Sequence, residues 1–305
     1  MLSYAIRRVL ISIPVVLVII ALSFVLIRLA PGGPFDAEAA LDPSVLENLE
    51  KAYHLDKPLL TQFFIYMGNV FSGDLGPSLI YKDFAVSELL ADGFLVSFSL
   101  GAKATLLAVF VGSASGIYAA QNHNRAPDYG VMTIAMTGIA LPNFVFAPLL
   151  TLFFGLYLGM LPVAGWGGVE HQLLPIISLA LPQIAIISRL TRASMIEVLR
   201  SDYVRAARLR GIPPSRVISH HALRAALLPV ISYLGPAIAG IVTGSVVIEQ
   251  IFDLPGVGRY FVQGAINRDY PLVMGVVVFY ASAVLLLNLL VDLLYAVLDP
   301  RVRLN

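Results

Sequence analysis

The chain has 305 residues, of which 58% are hydrophobic and 13% charged, and its mean hydropathy is +0.83. Soluble domains carry roughly 25% charged residues, so this surplus of apolar surface needs lipid as its solvent. The formal net charge of +1 points to no nucleic-acid partner, and the absence of cysteine excludes disulfides, thiolate metal sites and cysteine nucleophiles.

The first element is the apolar run Val9–Leu29, which follows Arg7 and Arg8. It exceeds the roughly 7–15 residues of a signal-peptide core. It ends in Arg28-Leu29-Ala30-Pro31-Gly32-Gly33 without a small-x-small cleavage pattern, and so reads as an uncleaved first span. The segment 31–96 is polar and acidic. Asp42-Pro43 predicts a helix start, Asp56-Lys57-Pro58 a second with Phe63, Phe64, Tyr66 and Met67 as its apolar content, and Asp83 a third running to Leu90. Gly73-Asp74-Leu75-Gly76-Pro77 predicts a turn. A crossing needs about 20 mostly apolar residues. Five more such runs follow: Ser97–Ala119, Val131–Leu156, Leu173–Leu190, Leu228–Ile251 and Pro271–Leu298. Pro14, Pro142, Pro148, Pro182 and Pro236 fall inside spans, where packed neighbours tolerate them. The fold class is therefore all-α, a polytopic membrane protein of six transmembrane helices.

Charge orients the spans. The connection between the fourth and fifth holds Arg189, Arg192, Arg200, Arg205, Arg208, Arg210, Arg216 and Arg224 against Glu197 and Asp202, a balance of 8 − 2 = +6. The segment 31–96 holds three lysines against ten acids, a balance of 3 − 10 = −7. Basic residues gather at the cytoplasmic face, which predicts both termini and the arginine-rich connection inside.

That connection has a local grammar. Ser201 or Asp202 caps a helix over Tyr203–Leu209, in which Ala206 and Ala207 present a flat, small surface. Gly211 ends it, Pro213-Pro214 prevents continuation, and Ser215 starts a second helix toward the fifth span. Arginines beside a membrane also bind anionic headgroups, and charge alone does not separate an anchor from a protein dock. The Ala-Ala–Gly–Pro-Pro order favours the dock, and with it a transport subunit driven by a separate soluble partner.

Other charged and polar positions read as structural. Lys103 snorkels outward, Asp292 pairs with a cytoplasmic-side arginine rather than relaying protons, and Glu249 closes the outer end of the fifth span. Arg189 and Arg192 anchor at headgroup level. Serines in the spans have no placed base and serve interhelical hydrogen bonding. Trp166 with Tyr157 reads as an interfacial belt. His220 and His221 are adjacent and do not share a helix face, which makes a poor metal pair. No Gly-Lys pair occurs, so the chain has no phosphate-binding P-loop.

Arg205-Ala206-Ala207-x3-Gly211 resembles the EAA–x3–G loop of ABC importer membrane subunits, with Arg205 where the general motif has glutamate. His221-Ala222-Leu223-Arg224-x-Ala226-Leu227-Leu228-Pro229 resembles the peptide-importer branch. So do Gly73-Asp74-Leu75-Gly76, Leu190-Thr191-Arg192-Ala193-Ser194-Met195, Phe252-x-x-Pro255-Gly256-x-Gly258, Asn267-Arg268-Asp269-Tyr270 and Asp299-Pro300-Arg301, all in family order. Tyr53-His54-Leu55 and Gly76-Pro77-Ser78 with Tyr81-Lys82-Asp83 are most similar to oligopeptide permease B subunits.

The resemblance implies an ABC type I importer fold: a first transmembrane helix (1–30), a periplasmic helical segment (31–96) and a five-helix permease core (97–305) with a cytoplasmic coupling loop (200–224). It implies that the chain is no enzyme and forms half of a peptide path in a bacterial inner membrane. A second homologous permease, two ATP-binding subunits and a periplasmic or lipid-anchored binding protein complete the assembly, within membrane lipid and without nucleic acid. ATP and Mg belong to the partner ATPases, and this chain holds no cofactor or metal. The coupling positions carried over are Asp202, Tyr203, Val204, Arg205, Ala206, Ala207, Arg208, Leu209, Arg210, Gly211 and Ile212, with Arg216 in support. A proton-coupled secondary transporter is the rival class; it wants a mid-span carboxylate and an internal repeat, and neither is found. Within the family, nickel chelates or glutathione are rival cargoes.

Overall fold

The computed structural model describes residues 2–29, 47, 51, 54–81 and 83–298, with side chains described for all of these except 2–9, 292 and 294–298. The helix expected after Asp42-Pro43, the Asp292 side chain and the Asp299-Pro300-Arg301 motif lie outside them. Described helices are α1 (Leu2–Leu29), α2 (Leu59–Phe71), α3 (Val86–Gln121), α4 (Ala126–Ala140), α5 (Asn143–Leu150), α6 (Val169–Leu199), α7 (Asp202–Leu209), α8 (Leu228–Ile251), α9 (Val257–Ile266) and α10 (Tyr270–Leu298). α1, α3, α6, α8 and α10 are long and apolar enough to cross a membrane, and α4 with α5 makes a sixth crossing if counted together.

Two expectations are corrected. The third span is not one continuous helix over Val131–Leu156: α4 and α5 meet at a bend of 108°. Leu141 and Pro142 are both extended there, because the proline ring excludes the helical region for the residue before it. Pro148 then withholds a second amide from the ladder, and the following turns, Thr151–Tyr157, widen to π-helical geometry. Nor is there a separate helix from Asp83 to Leu90. α3 starts at Val86, where Glu88 accepts the Ala85 amide at 3.0 Å, half of a capping box, and the helix runs on unbroken to Gln121.

The chain divides into two compact units. One comprises Arg8–Val96 and Gly256–Ala283. In it, Ile20 and Phe24 of α1 pack with Met67 of α2 and Met274 of α10, while Val86, Leu89 and Leu90 of α3 pack with Val257, Leu272 and Val276. Asp269 is fully buried and holds this unit's turn: one oxygen accepts from Ser78 Oγ (2.5 Å) and the amides of Leu79 (2.8 Å) and Ile80 (3.1 Å). Its other oxygen caps α10 through the Leu272 amide at 3.0 Å. The Asn267-Arg268-Asp269-Tyr270 motif thus has a folding role at Asp269.

The other unit comprises Met1–Arg7, Ser97–Pro255 and Val284–Asn305. Its centre is α6, buried along Leu174, Leu179, Gln183, Ile187, Thr191 and Met195. Lys103 does not snorkel freely but donates to Gln172 of α6. Ser115 donates to Ser188 at 2.9 Å, and Tyr233 of α8 to Gln183 at 2.9 Å, as expected of serine and other polar side chains between packed spans. α3 meets α6 through Gly112 and Gly116. A Cβ on Gly116 would stand 2.5 Å from the Ser188 carbonyl oxygen and 3.0 Å from the Arg192 nitrogen, both backbone atoms that cannot swing aside. Gly116→Val is therefore expected to destabilise the folded chain by about 2 kcal/mol or more. Thermal unfolding of the detergent-purified variant checks this, and an unchanged midpoint would refute the close approach.

Candidate docking elbow

The arginine-rich connection folds as the local grammar dictates, with three differences. Ser201 is the extended N-cap of α7; its hydroxyl donates backward to the Val198 carbonyl (2.6 Å) rather than to the new helix. At the other end the Gly211 amide donates to Arg208 O (3.0 Å) and the Ile212 amide to Ala207 O (3.3 Å). This pair of bonds is a Schellman closure, and it requires the left-handed conformation that Gly211 adopts at φ +76°. A Cβ there would meet nothing within 4 Å, so the demand for glycine is purely conformational. After Pro213 the chain turns through Pro214–Arg216, a π-helical Val217–Ala222 and Leu223–Ala226 into α8. The second helix thus starts at Pro214, one residue ahead of Ser215, because proline's fixed φ suits the first helical position.

The third difference concerns the two alanines. Val204 and Ala207 are buried together with Met195, Val217, Ala222 and Ala226, and Ile212 packs against that cluster. Only Ala206 of the alanine pair is presented outward. Residues three apart share a helix face, so the face that seats α7 on α6 claims Ala207 and leaves Ala206 facing out. The outward face carries Tyr203, Arg205, Ala206, Arg208, Leu209 and Arg210, and Arg216 is exposed beyond the turn. Leu209 is 89% exposed, an isolated apolar knob in a ring of arginines. Leu209 is among the expected coupling positions, and the 3.6-residue period that buries Val204 and Ala207 puts it on the opposite side. Asp202 approaches Arg205 at 3.7 Å; both are exposed, and such a pair contributes little. The remaining guanidinium groups face outward.

Arg192, expected at headgroup level, instead ties α6 to the start of α4. Its Nε lies 2.5 Å from Asp128 Oδ1 and its terminal nitrogen 2.7 Å from Oδ2, a two-pronged pair with a carboxylate that is fully buried. The Asn124 amide donates to the same carboxylate at 2.9 Å, and His123 Nδ1 stands 3.6 Å away. On α6 the clasp residue Arg192 precedes by three positions Met195, which packs in the elbow's buried cluster.

Five or six lipid-length helices define a polytopic membrane protein, with α7 a short basic helix seated on one buried face and exposed on the other. Residues 112–304 match the family described as "Binding-protein-dependent transport system inner membrane component", and residues 1–80 match the description of its N-terminal part. The chain belongs to that family and is a membrane permease subunit of an ABC importer, resident in the inner membrane. It is 50% identical to the oligopeptide transport system permease protein OppB of Salmonella typhimurium over 305 residues, covering 99% of this chain and 100% of the relative. It is 45% identical to the dipeptide transport system permease protein DppB of Bacillus subtilis, covering 100% and 99%. A crystal structure of an amino acid ABC transporter with histidines shares the fold at a TM-score of 0.51 and 15% identity, covering 70% of this chain and 94% of that one.

Proposed function

We propose that this chain forms half of the translocation path for peptides in an ATP-driven importer, and that α7 is the handle by which a separate ATPase moves it. The observation that supports the cargo is the full-length identity to permeases named for oligopeptide and dipeptide transport. The observation that supports the handle is an exposed helix fastened at both ends, with Leu209 and four nearby arginines turned away from its own seat. A second homologous permease shares the path, two ATPases each grip one such elbow, and an external binding protein delivers the peptide. The termini and the elbow lie on the cytoplasmic side, as the arginine balance requires. ATP and magnesium reside on the ATPases.

Reconstitution with the neighbouring permease, ATPases and binding protein tests the reading. Peptide uptake should require ATP and the binding protein and survive collapse of the proton gradient; uptake that follows the gradient instead would refute it. Sidedness has its own test, since the chain has no cysteine of its own. Ser215→Cys should react with a membrane-impermeant maleimide in inverted vesicles and not in intact spheroplasts. The reverse pattern would overturn the orientation.

A further inference from the structure

The unit formed by Arg8–Val96 and Gly256–Ala283 holds a cavity of about 210 Å³ that transport by the elbow does not use. Arg28, at the end of α1, lines it. The guanidinium stands 4.6 Å from the Phe24 ring centroid and 5.3 Å from that of Tyr270, with its buried Nε–H donating to no group of the protein. Two further polar atoms in the lining are buried without a protein partner: the Tyr66 hydroxyl and Gln62 Oε1. Gln62 is only 7% exposed. Its amide nitrogen donates to the carbonyls of Lys57 (2.7 Å) and Leu55 (3.3 Å), which settles which end of the amide is left over. Asp74 adds a carboxylate to the lining. Buried polar atoms are hydrogen-bonded as a rule, so three in one cavity mark a site for a polar ligand.

The inventory specifies that ligand. Arg28 offers only donors and full positive charge, the phenol gives and takes, and Gln62 Oε1 and Asp74 only accept. A phosphate alone satisfies the first pair and repels the second. A group carrying both a phosphate and a primary ammonium satisfies all four. The surroundings specify what bears it. α2 hides Gln62 and Met67 and turns Leu60, Phe64 and Phe71 outward, and α1 exposes Leu22, Val25, Leu26 and Leu29 in the two turns around Arg28. A helix with its apolar side out lies in the acyl boundary of a membrane, and a cavity at that depth is reached by a lipid headgroup.

We infer that this cavity binds the phosphoethanolamine headgroup of an aminophospholipid, with the phosphate on Arg28 and Tyr66 and the ammonium on Gln62 and Asp74. The full-length chain, purified in detergent and exposed to phosphatidylethanolamine, phosphatidylglycerol or phosphatidylcholine of matched acyl chains, is examined by native mass spectrometry. One phosphatidylethanolamine should be retained with about tenfold preference over phosphatidylcholine, which lacks ammonium donors. Tyr66→Phe should lower retention several-fold while leaving the unfolding midpoint in lipid-free detergent unchanged, because that hydroxyl has no protein partner to lose. Arg28→Gln should lower retention of all three lipids, because the phosphate it holds is common to them. Equal retention of all three lipids, or retention indifferent to both substitutions, would overturn the assignment. Displacement by glycerophosphoethanolamine as effective as by the intact lipid would overturn the lipid source and assign the site to a soluble zwitterion.

Discussion

Leu209→Asp is expected to leave the permease folded and inserted yet to lower ATP-driven peptide uptake about 30-fold or more. Leu209 is 89% exposed, so the fold itself makes almost no use of it. An apolar anchor at the centre of an interface is worth about 2 kcal/mol on truncation, which corresponds to roughly 30-fold in association. A carboxylate placed there also pairs internally with the surrounding arginines and removes their charge from the partner. Gly211→Val attacks the same handle through the backbone. A side chain at φ +76° strains the closure by about 1–2 kcal/mol, and β-branching adds to it. The Schellman bonds then open and α7 loses its fixed end. ATP hydrolysis by the assembled complex should persist in that variant while uptake falls, because binding and force transmission separate when the lever is soft. Uptake and ATPase rates measured together on reconstituted complexes check both variants. Full coupling in both would remove α7 from the coupling role. Val204→Asp serves as the contrast: it buries a charge in the seat and should lower the yield of folded protein rather than coupling alone.

The second large effect is at the clasp. Asp128→Ala should destabilise the protein by about 1–3 kcal/mol, because it removes both charge-assisted hydrogen bonds of the Arg192 guanidinium, whose side chain is 25% exposed and keeps access to water. Arg192→Met should cost a similar amount by leaving the Asp128 carboxylate with only the Asn124 amide and nearby His123 in place of its guanidinium partner. The double replacement Asp128→Leu with Arg192→Met is expected to recover most of the loss, as a hydrophobic pair of similar volume replaces a buried ion pair. Thermal unfolding of the four proteins forms the cycle; strictly additive losses would show that the two groups do not act as a pair. Since α6 continues from Arg192 to the seat of α7, the single variants should also loosen the elbow. Protease accessibility at Arg208 and Arg210 reads this out independently.

Much of the membrane architecture was legible beforehand. Lipid imposes a length and composition on every crossing, and that requirement is written in consecutive residues, so the positions of α1, α3, α6, α8 and α10 follow from runs of apolar side chains. The elbow was legible for the same local reason. Asp202, Gly211 and Pro213-Pro214 act over one or two turns, and the helix they bound was expected over Tyr203–Leu209 and occurs over Asp202–Leu209. The larger departures involve neighbours distant in sequence. Whether Pro142 sits within a straight span or breaks it depends on which helices are available to satisfy the freed carbonyls. The role of Arg192 depends on a carboxylate 64 residues away. The outward face of α7 depends on where α6 places Met195, which is what turns Ala207 in and leaves Ala206 and Leu209 out.

Composition, period and caps by themselves determined that this is a membrane-embedded helical chain with one basic helix set apart from its spans, since those properties are sums over neighbouring residues and need no partner to take effect. Tertiary structure alone decided the clasp of Asp128 and Arg192 and the joining of Arg28, Gln62 and Tyr66 around one cavity. Hydrogen bonds and ion pairs act over about 3 Å, and only the packing of helices brings residues so far apart in the chain to that distance.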